Sequence, residues 1–334
     1  MPHGTVARHR KRWPKPRKCR RRPPFADAGG HGLALRQWQW RLEALLVRGL
    51  LAFSRRLGPR RASALGGAVT RTVGPWLPVS RIGRRNLELA FPERDPGWRE
   101  QVLRGAWDNL GRTMMELPHL PGLPESTEGP GWEVSGQENL PSGERRIIFI
   151  SAHLANWETL PVAAARLGVR MASLYRAPDN PLVDAVLRQM REGGAEMPLF
   201  PKGARGARMA LRHLAGGEAL GLLMDQKLNE GLELPFLGQP AMTTSAPAEF
   251  ALRFRCPVLP THVERIGPCR FRIVVEPPLP LPDSGDRAAD VRALTLAMNA
   301  RIEAWVRARP QEWLWLHRRF TRAAYSTTSS APAA

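Results

Sequence analysis

Cysteine is nearly absent: three residues, Cys19, Cys256 and Cys269, in a chain of 334. Three thiols cannot build the disulfide framework of a small secreted domain. With no Cys-x-x-Cys pair and no Cys/His cluster, they give no zinc pattern. The compartment reads as reducing, and the site as metal-free. Long uncharged apolar runs are lacking too. The best candidate, residues 33–53, carries Arg36, Arg41, Glu43 and Arg48, so it falls short of the roughly 20 apolar residues of a spanning helix. Those charges, and the want of a small-residue cleavage site, also exclude a secretory signal. No Ser stands in a Gly-x-Ser-x-Gly elbow, and Cys256, just before Pro257, reads as buried and inert. The basic turn Phe200-Pro201-Lys202-Gly203-Ala204-Arg205-Gly206 lacks the Gly-Lys-Ser/Thr of a P-loop, so nucleotide binding is unsupported.

Acids are scarce. Lys and Arg number 50 against 30 Asp and Glu, a net charge of +20. Half of that excess lies in residues 1–22, which hold ten Lys/Arg and no acid. With Pro2, Pro14, Pro16, Pro23 and Pro24 and no apolar periodicity, residues 1–30 read as a disordered basic tail. It is either an inert extension or a contact for anionic lipid or nucleic acid. Residues 323–334 read as a second disordered tail. The rest stays basic, at Arg84, Arg188, Arg208 and Arg318 among others, which favours an anionic partner or is simply a solvated face. At 43% hydrophobic residues the chain can bury a core.

Residues 33–53 have a helical phase. Leu35, Trp38, Leu42, Leu45, Leu46 and Phe53 share one side; Arg41, Arg48 and Arg55 recur on another. This is the composition of an interfacial helix, or of a first helix packed on its own core. Residues 31–115 read as helices punctuated by Gly58-Pro59, Gly74-Pro75 and Pro96-Gly97. Residues 116–144 read as a connection around a short strand at 132–134. From 145 the pattern alternates. Strands are expected at 146–150, 169–175, 195–200, 219–224, 258–263 and 271–275. Helices are expected near 157–167, 181–192, up to 214, 245–254 and 287–309, with a loop at 229–242. That alternation predicts an α/β domain over 116–322 with a largely parallel central sheet flanked by helices. Ligands of such sheets sit beyond the carboxyl ends of the strands, where this chain has His153, Arg176, Lys202 and Asp225.

Residues 151–158, Ser-Ala-His-Leu-Ala-Asn-Trp-Glu, follow the first buried strand. A neutral imidazole takes a proton from an attacking hydroxyl, and a carboxylate orients the ring and stabilises the imidazolium. His153 and Glu158 fit those roles if His153 sits in the strand-to-helix turn and Glu158 in the next helix's first turn; Asn156 can cap that helix. The spacing alone is weak: His213 and Glu218 repeat it, but across Gly216-Gly217 and not after a strand. A structural histidine in a turn is the plainer reading. Arg176 can hold an anion or developing oxyanion charge, or pair with an acid such as Asp184. The backbone of the Lys202–Arg205 turn can receive an anion. Asp225 is either an orienting acid or a turn cap.

Several ordered blocks resemble the bacterial lipid A biosynthesis lauroyl/myristoyl acyltransferases, within the wider glycerolipid acyltransferase superfamily. They are Arg84-Arg85-Asn86-Leu87-Glu88-Leu89-Ala90-Phe91-Pro92-Glu93, the His-x4-acid block at 151–158, Tyr175-Arg176 with Asn180-Pro181, and Asp225-Gln226 with Pro235-Phe236-Leu237-Gly238 and Ala241-Met242-Thr243-Thr244. Pro257-Val258-Leu259-Pro260 and Trp313-Leu314-Trp315-Leu316-His317-Arg318-Arg319-Phe320 complete the set. The resemblance covers about residues 33–320. It implies a membrane-associated enzyme at the cytoplasmic face of a bacterial inner membrane, attached by an N-terminal helix that is either interfacial or single-span, the place residues 33–53 take. Such an enzyme moves an acyl chain from acyl carrier protein to the hydroxyl of a hydroxyacyl chain on a lipid A precursor. By match, His153 is the base, Glu158 its partner and Arg176 an active-site arginine, with Asn156, Tyr175, Lys202, Arg205, Asp225 and Gln226 toward the substrate. It implies no cofactor and no nucleic-acid partner. A different glycolipid or lysophospholipid acceptor, with acyl-CoA as donor, is the alternative within this chemistry. A basic nucleic-acid-binding protein is the alternative outside it, but no recognition motif is present.

Overall fold

The computed structural model describes residues 30–175, 177–192 and 197–326. Arg176, and most of both expected tails, lie outside the described residues. Four helices come first: α1 (Gly30–Leu57), α2 (Pro59–Val73), α3 (Ser80–Ala90) and α4 (Pro96–Glu116). Pro59 and Pro96 each open a helix in its first turn, where the missing N–H has no intrahelical partner to lose, and Asp95 caps α4 by accepting from Trp98 N.

The remainder is an α/β layer. Its strands are β1 (Gly131–Ser135), β2 (Ile148–Ser151), β3 (Met171–Tyr175), β4 (Leu199–Pro201), β5 (Ala219–Leu223), β6 (Leu232–Phe236), β7 (Gln239–Thr243), β8 (Val258–Gly267) and β9 (Arg270–Val275). Its helices are α5 (Thr159–Arg166), α6 (Pro181–Glu192), α7 (Ala204–Ala215), α8 (Ala246–Phe254), α9 (Arg287–Ala308) and the short α10 (Arg322–Ser326). Seven strands form one sheet in the order β1-β9-β8-β2-β5-β3-β4. The run β8-β2-β5-β3-β4 is parallel throughout; β9 turns back antiparallel against β8, and β1 runs parallel to β9 at the edge. The parallel run brings the carboxyl ends of β2, β5, β3 and β4 to one edge.

Three expectations need correction. The loop expected at 229–242 is mostly the β6–β7 hairpin, closed by Leu237 and Gly238, both with positive φ (49° and 75°). That is the backbone a two-residue hairpin turn requires. A Leu in the turn hides the signal, and its place is fixed by burial and by its N–H donating to Glu303 Oε2 (2.7 Å). Of the strand expected at 195–200, residues 195–196 lie outside the described residues, and among the rest the strand begins only at Leu199 and runs to Pro201. The tail expected from 323 starts too early: α10 continues to Ser326, with Tyr325 donating to Asn86 Oδ1 (2.5 Å).

One apolar core joins Leu87, Leu103 and Trp107 of the helical region to Ile148, Ile150 and Leu220 of the sheet and to Trp313 and Trp315. So α3 and α4 share one core with the α/β layer across the boundary expected at 115. Helix α4 is held close to α2 at a glycine crossing. A Cβ on Gly111 would stand 2.2 Å from Gly66 O, and one on Gly66 would stand 2.4 Å from Gly111 O. Only bare backbones approach this closely, and the close approach fixes the position of α4 for what it carries below.

Candidate active site

Ser151 pairs with Leu223 across β2 and β5, so the two chains leave the sheet side by side. His153 follows β2 and Asp225 follows β5. The fully buried Asp225 carboxylate accepts three hydrogen bonds: His153 Nδ1 at 2.8 Å to Oδ1, and His153 N and Trp313 Nε1, each at 2.8 Å, to Oδ2. Burial alone would raise this carboxyl. The His153 and His317 charges and the His153 hydrogen bonds outweigh it and hold Asp225 well below the usual carboxylate range. An ionised Asp225 on Nδ1 fixes the proton there and turns the lone pair of Nε2 outward. Nε2 receives the Gln226 amide at 3.3 Å, and Lys202 Nζ in turn donates to Gln226 Oε1 at 3.0 Å. The ring also stands edge-on to Trp157, centroids 5.0 Å apart.

The carboxylate on His153 is thus Asp225, not Glu158. The physical reason is the register: adjacent parallel strands deliver Asp225 directly to the ring, whereas Glu158 is carried past it to the head of α5. Glu158 there lines an apolar cavity of about 210 Å³ together with Leu120, Val162, Leu187, Met190 and Leu199. Asn156 is a second correction. It neither faces substrate nor caps α5, because it is fully buried and its amide donates to Glu116 Oε2 at 2.9 Å. Asp225, equally buried, meets the His153 ring and has no exposed surface for a substrate. Tyr175 ends β3 with the Arg188 guanidinium 5.3 Å above its ring, and Lys202 and Arg205 are exposed around the start of α7. In that turn a Cβ on Gly206 would lie 1.6 Å from Pro201 O, so the chain there demands glycine.

Two site residues were quoted in sequence but given no task. Trp313 supplies the third donor to Asp225. His317 lies beneath it, with Nε2 3.2 Å from Asp225 O and Nδ1 2.9 Å from Leu314 O. Burial pushes the His317 imidazole below its ordinary value. The backbone just after His153 is unusual as well. Ala155 has φ +48° and is fully buried, a left-handed conformation that costs an alanine about 1–2 kcal/mol. Its N–H donates to Glu312 O (2.9 Å), and its carbonyl accepts from Asn109 Nδ2 and Thr113 Oγ1, both at 3.0 Å.

A base fixed by a buried carboxylate, at the mouth of a parallel sheet and close in sequence to an apolar cavity, has the parts for moving an acyl group onto a hydroxyl. The model of the bacterial lipid A biosynthesis acyltransferase family matches residues 32–322. The chain belongs to this family, and it is an O-acyltransferase of lipid A biosynthesis. It is 26% identical over 253 residues to the lipid A biosynthesis lauroyltransferase of Escherichia coli K12, covering 72% of this chain and 78% of that one. It is 26% identical over 247 residues to the palmitoleoyltransferase of the same strain, with the same coverage. A Haemophilus influenzae lipid A biosynthesis acyltransferase is 26% identical over 72% of this chain and 76% of its own. Among solved structures, the 1-acyl-sn-glycerophosphate acyltransferase of Thermotoga maritima covers 79% of this chain and 98% of its own, with 14% identity and a TM-score of 0.32.

Two outcomes follow from this geometry. Asp225→Asn keeps the shape but offers a donor to Nδ1, so transfer falls by between about a hundredfold and ten-thousandfold while the fold persists. Steady-state transfer rates and circular dichroism on the same preparation check it. His317 is held neutral in the fold, and the unfolded imidazole takes a proton below about pH 6.5. Stability therefore falls as pH drops through that value and levels off below the depressed folded one. Urea unfolding at a series of pH values reads this slope, and His317→Gln flattens it.

Proposed function

We propose that the protein transfers a fatty acyl chain from acyl carrier protein to the hydroxyl of a hydroxyacyl chain on a lipid A precursor. The observation that carries this reading is the outward lone pair of His153 Nε2, held by Asp225 in a chain of the lipid A acyltransferase family. The acceptor hydroxyl displaces the Gln226 amide from Nε2 and gives up its proton there as its oxygen attacks the donor thioester. The carbon–sulfur bond breaks, the thiol leaves with a proton, and His153 returns to neutral. Asp225 stays ionised throughout and stabilises the imidazolium. Glu158 acts from the cavity wall, and the cavity receives the donated chain; each methylene buried there contributes about 0.8 kcal/mol. Lys202 and Arg205, both exposed, suit the phosphates of the acceptor or the acidic carrier protein, and Arg176 joins them on the strength of the family blocks.

The site of action that suits this substrate is the cytoplasmic face of the inner membrane. Among the described residues no helix is long and apolar enough to cross a membrane. Helix α1 instead buries Ala44, Leu51 and Ser54 and exposes Leu35, Trp38, Leu42, Leu45, Leu46, Leu50 and Phe53. Beyond it, α2 exposes Leu65, Val69 and Val73, and Trp76 is 82% exposed. A contiguous stripe of Trp and Leu flanked by Arg41, Arg48 and Arg55 is the chemistry of a helix lying in an anionic interface.

Purified protein given labelled acyl-acyl carrier protein and a phosphorylated, hydroxyacylated glucosamine disaccharide forms a product heavier by one acyl group. His153→Ala forms none. Faster turnover with acyl-CoA, or on a lysophospholipid, would overturn the donor or acceptor assignment. In vesicle flotation, the protein binds vesicles containing anionic phospholipid, and the double variant Trp38→Glu, Trp76→Glu loses about tenfold in binding. Undiminished flotation would place the contact elsewhere.

A further inference from the structure

The turn after His153 rests on a polar stripe that no functional motif contains. Asn109, Thr113 and Glu116 lie at i, i+4 and i+7 on α4, so they share one face, and all three are buried. Asn109 and Thr113 both donate to the carbonyl of Ala155, the residue held at positive φ. Glu116 accepts from the amide of Asn156, the next residue. All three are themselves fixed by Arg265 of β8. Its Nε donates to Asn109 Oδ1 (3.0 Å), its Nη1 and Nη2 form a forked pair with Glu116, and Nη2 stands 3.4 Å from Thr113 Oγ1. Ser63 of α2 closes the group by donating to Glu116 Oε1 at 2.6 Å.

A buried ion pair is a poor way to gain stability, since removing both charges from water offsets most of their attraction. Apolar side chains would pack this helix as well. What the charged group does, and they could not, is hold both sides of a strained peptide. Every hydrogen bond between α4 and the β2–α5 connection ends on Ala155 or Asn156, two and three residues beyond the base. Strain stored beside a reactive side chain and held by several independent donors is the signature of an imposed geometry.

We propose that Asn109, Thr113 and Glu116, locked by Arg265, are positioning residues of the acyl transfer: they hold the left-handed turn at Ala155 that aims His153. They touch no substrate. They act on the orientation of the ring, and so on the rate of the chemical step rather than on binding. This rests on His153 being the base, but not on the identity of the donor or the acceptor.

The test pairs kinetics with a spectroscopic reading of the ring. Thr113→Val keeps the shape and removes one donor to Ala155 O; Thr113→Ser keeps the donor. Val102→Ala, in the same helix but away from the turn, is the control for lost packing. In Thr113→Val, kcat falls by at least about tenfold while KM for each substrate stays within about twofold. The downfield proton resonance of His153 Nδ1–H, identified by its absence in His153→Ala, shifts or broadens. Thr113→Ser restores both to near the parent values. Val102→Ala lowers the melting temperature and leaves kcat within about twofold. Should Thr113→Val not fold, Asn156→Ala reads the same quantities, because it removes the strut from Glu116 and leaves the ion pair intact. An unchanged kcat, a rise confined to KM, or a fall in kcat with an unmoved resonance overturns the proposal. The resonance needs no substrate, so a wrong donor or acceptor assignment would silence the kinetic arm alone and leave this reading decisive.

Discussion

The interaction on which the site depends is a buried carboxylate receiving three hydrogen bonds. Asp225 has no contact with water and could not stay charged there unaided. Two donors from His153, one backbone and one ring, and a third from the Trp313 indole keep it ionised. Each donor comes from a different constraint. The backbone N–H is delivered by the pairing of β2 with β5, the ring by its rotamer, and the indole by the segment after α9. Removing any one leaves a buried charge short of a partner, so the three parts of the chain have to assemble together for the His153 ring to be held as it is.

The C-terminal segment is therefore a structural member of the site and not an appendage. Leu314 N donates to His153 O, Ala155 N donates to Glu312 O, and Trp315 packs edge-on to Trp313, centroids 4.5 Å apart. Arg319, fully buried, donates to Met242 O and Thr243 Oγ1 and lies over the Phe236 ring, which ties the same segment to the β6–β7 hairpin. Burial lowers the Arg319 guanidinium to about 10, still protonated at neutral pH, so its charge remains available to those acceptors. One stretch of residues, 312–319, thus binds the turn after β2, the end of β5 and the hairpin. This accounts for the concentration of Trp, His and Arg there.

Much of the fold was legible because its signals are local. Apolar runs at β2 and β5, proline and glycine punctuation, and Asn180 at the head of α6, whose Oδ1 accepts from Leu182 N, each act over a few residues. What failed needed distance. The pairing of His153 with Asp225 spans 72 positions and becomes visible only once β5 lies beside β2. Glu158, five positions on, was the natural partner for a reader limited to neighbours. The α4 stripe was illegible for a related reason. Asn109, Thr113 and Glu116 on an amphipathic helix look like an exposed polar face, and only the approach of β8, bringing Arg265, shows that the face is inside.

The same long-range wiring bears on how the protein can meet a bilayer. Asn180 uses its oxygen to cap α6 and its amide to reach Trp40 O (3.0 Å) and Glu43 Oε2 (2.8 Å) of α1. Helix α6 supplies Leu187 and Met190 to the cavity wall. Further along α1, Ser54 donates to Met115 O of α4 at 2.5 Å. The helix is thus fastened at its middle and near its C-terminal end to the elements that shape the cavity and the His153 turn. To run across a bilayer it would have to strip these contacts and carry Arg36, Arg41, Glu43 and Arg48 through hydrocarbon, at several kcal/mol for each charge. Lying in the interface it keeps every one of them and turns only its free apolar side to lipid. The docking of α1 and the proposed in-plane seat are therefore compatible, because the α6 that α1 packs against also supplies the cavity wall.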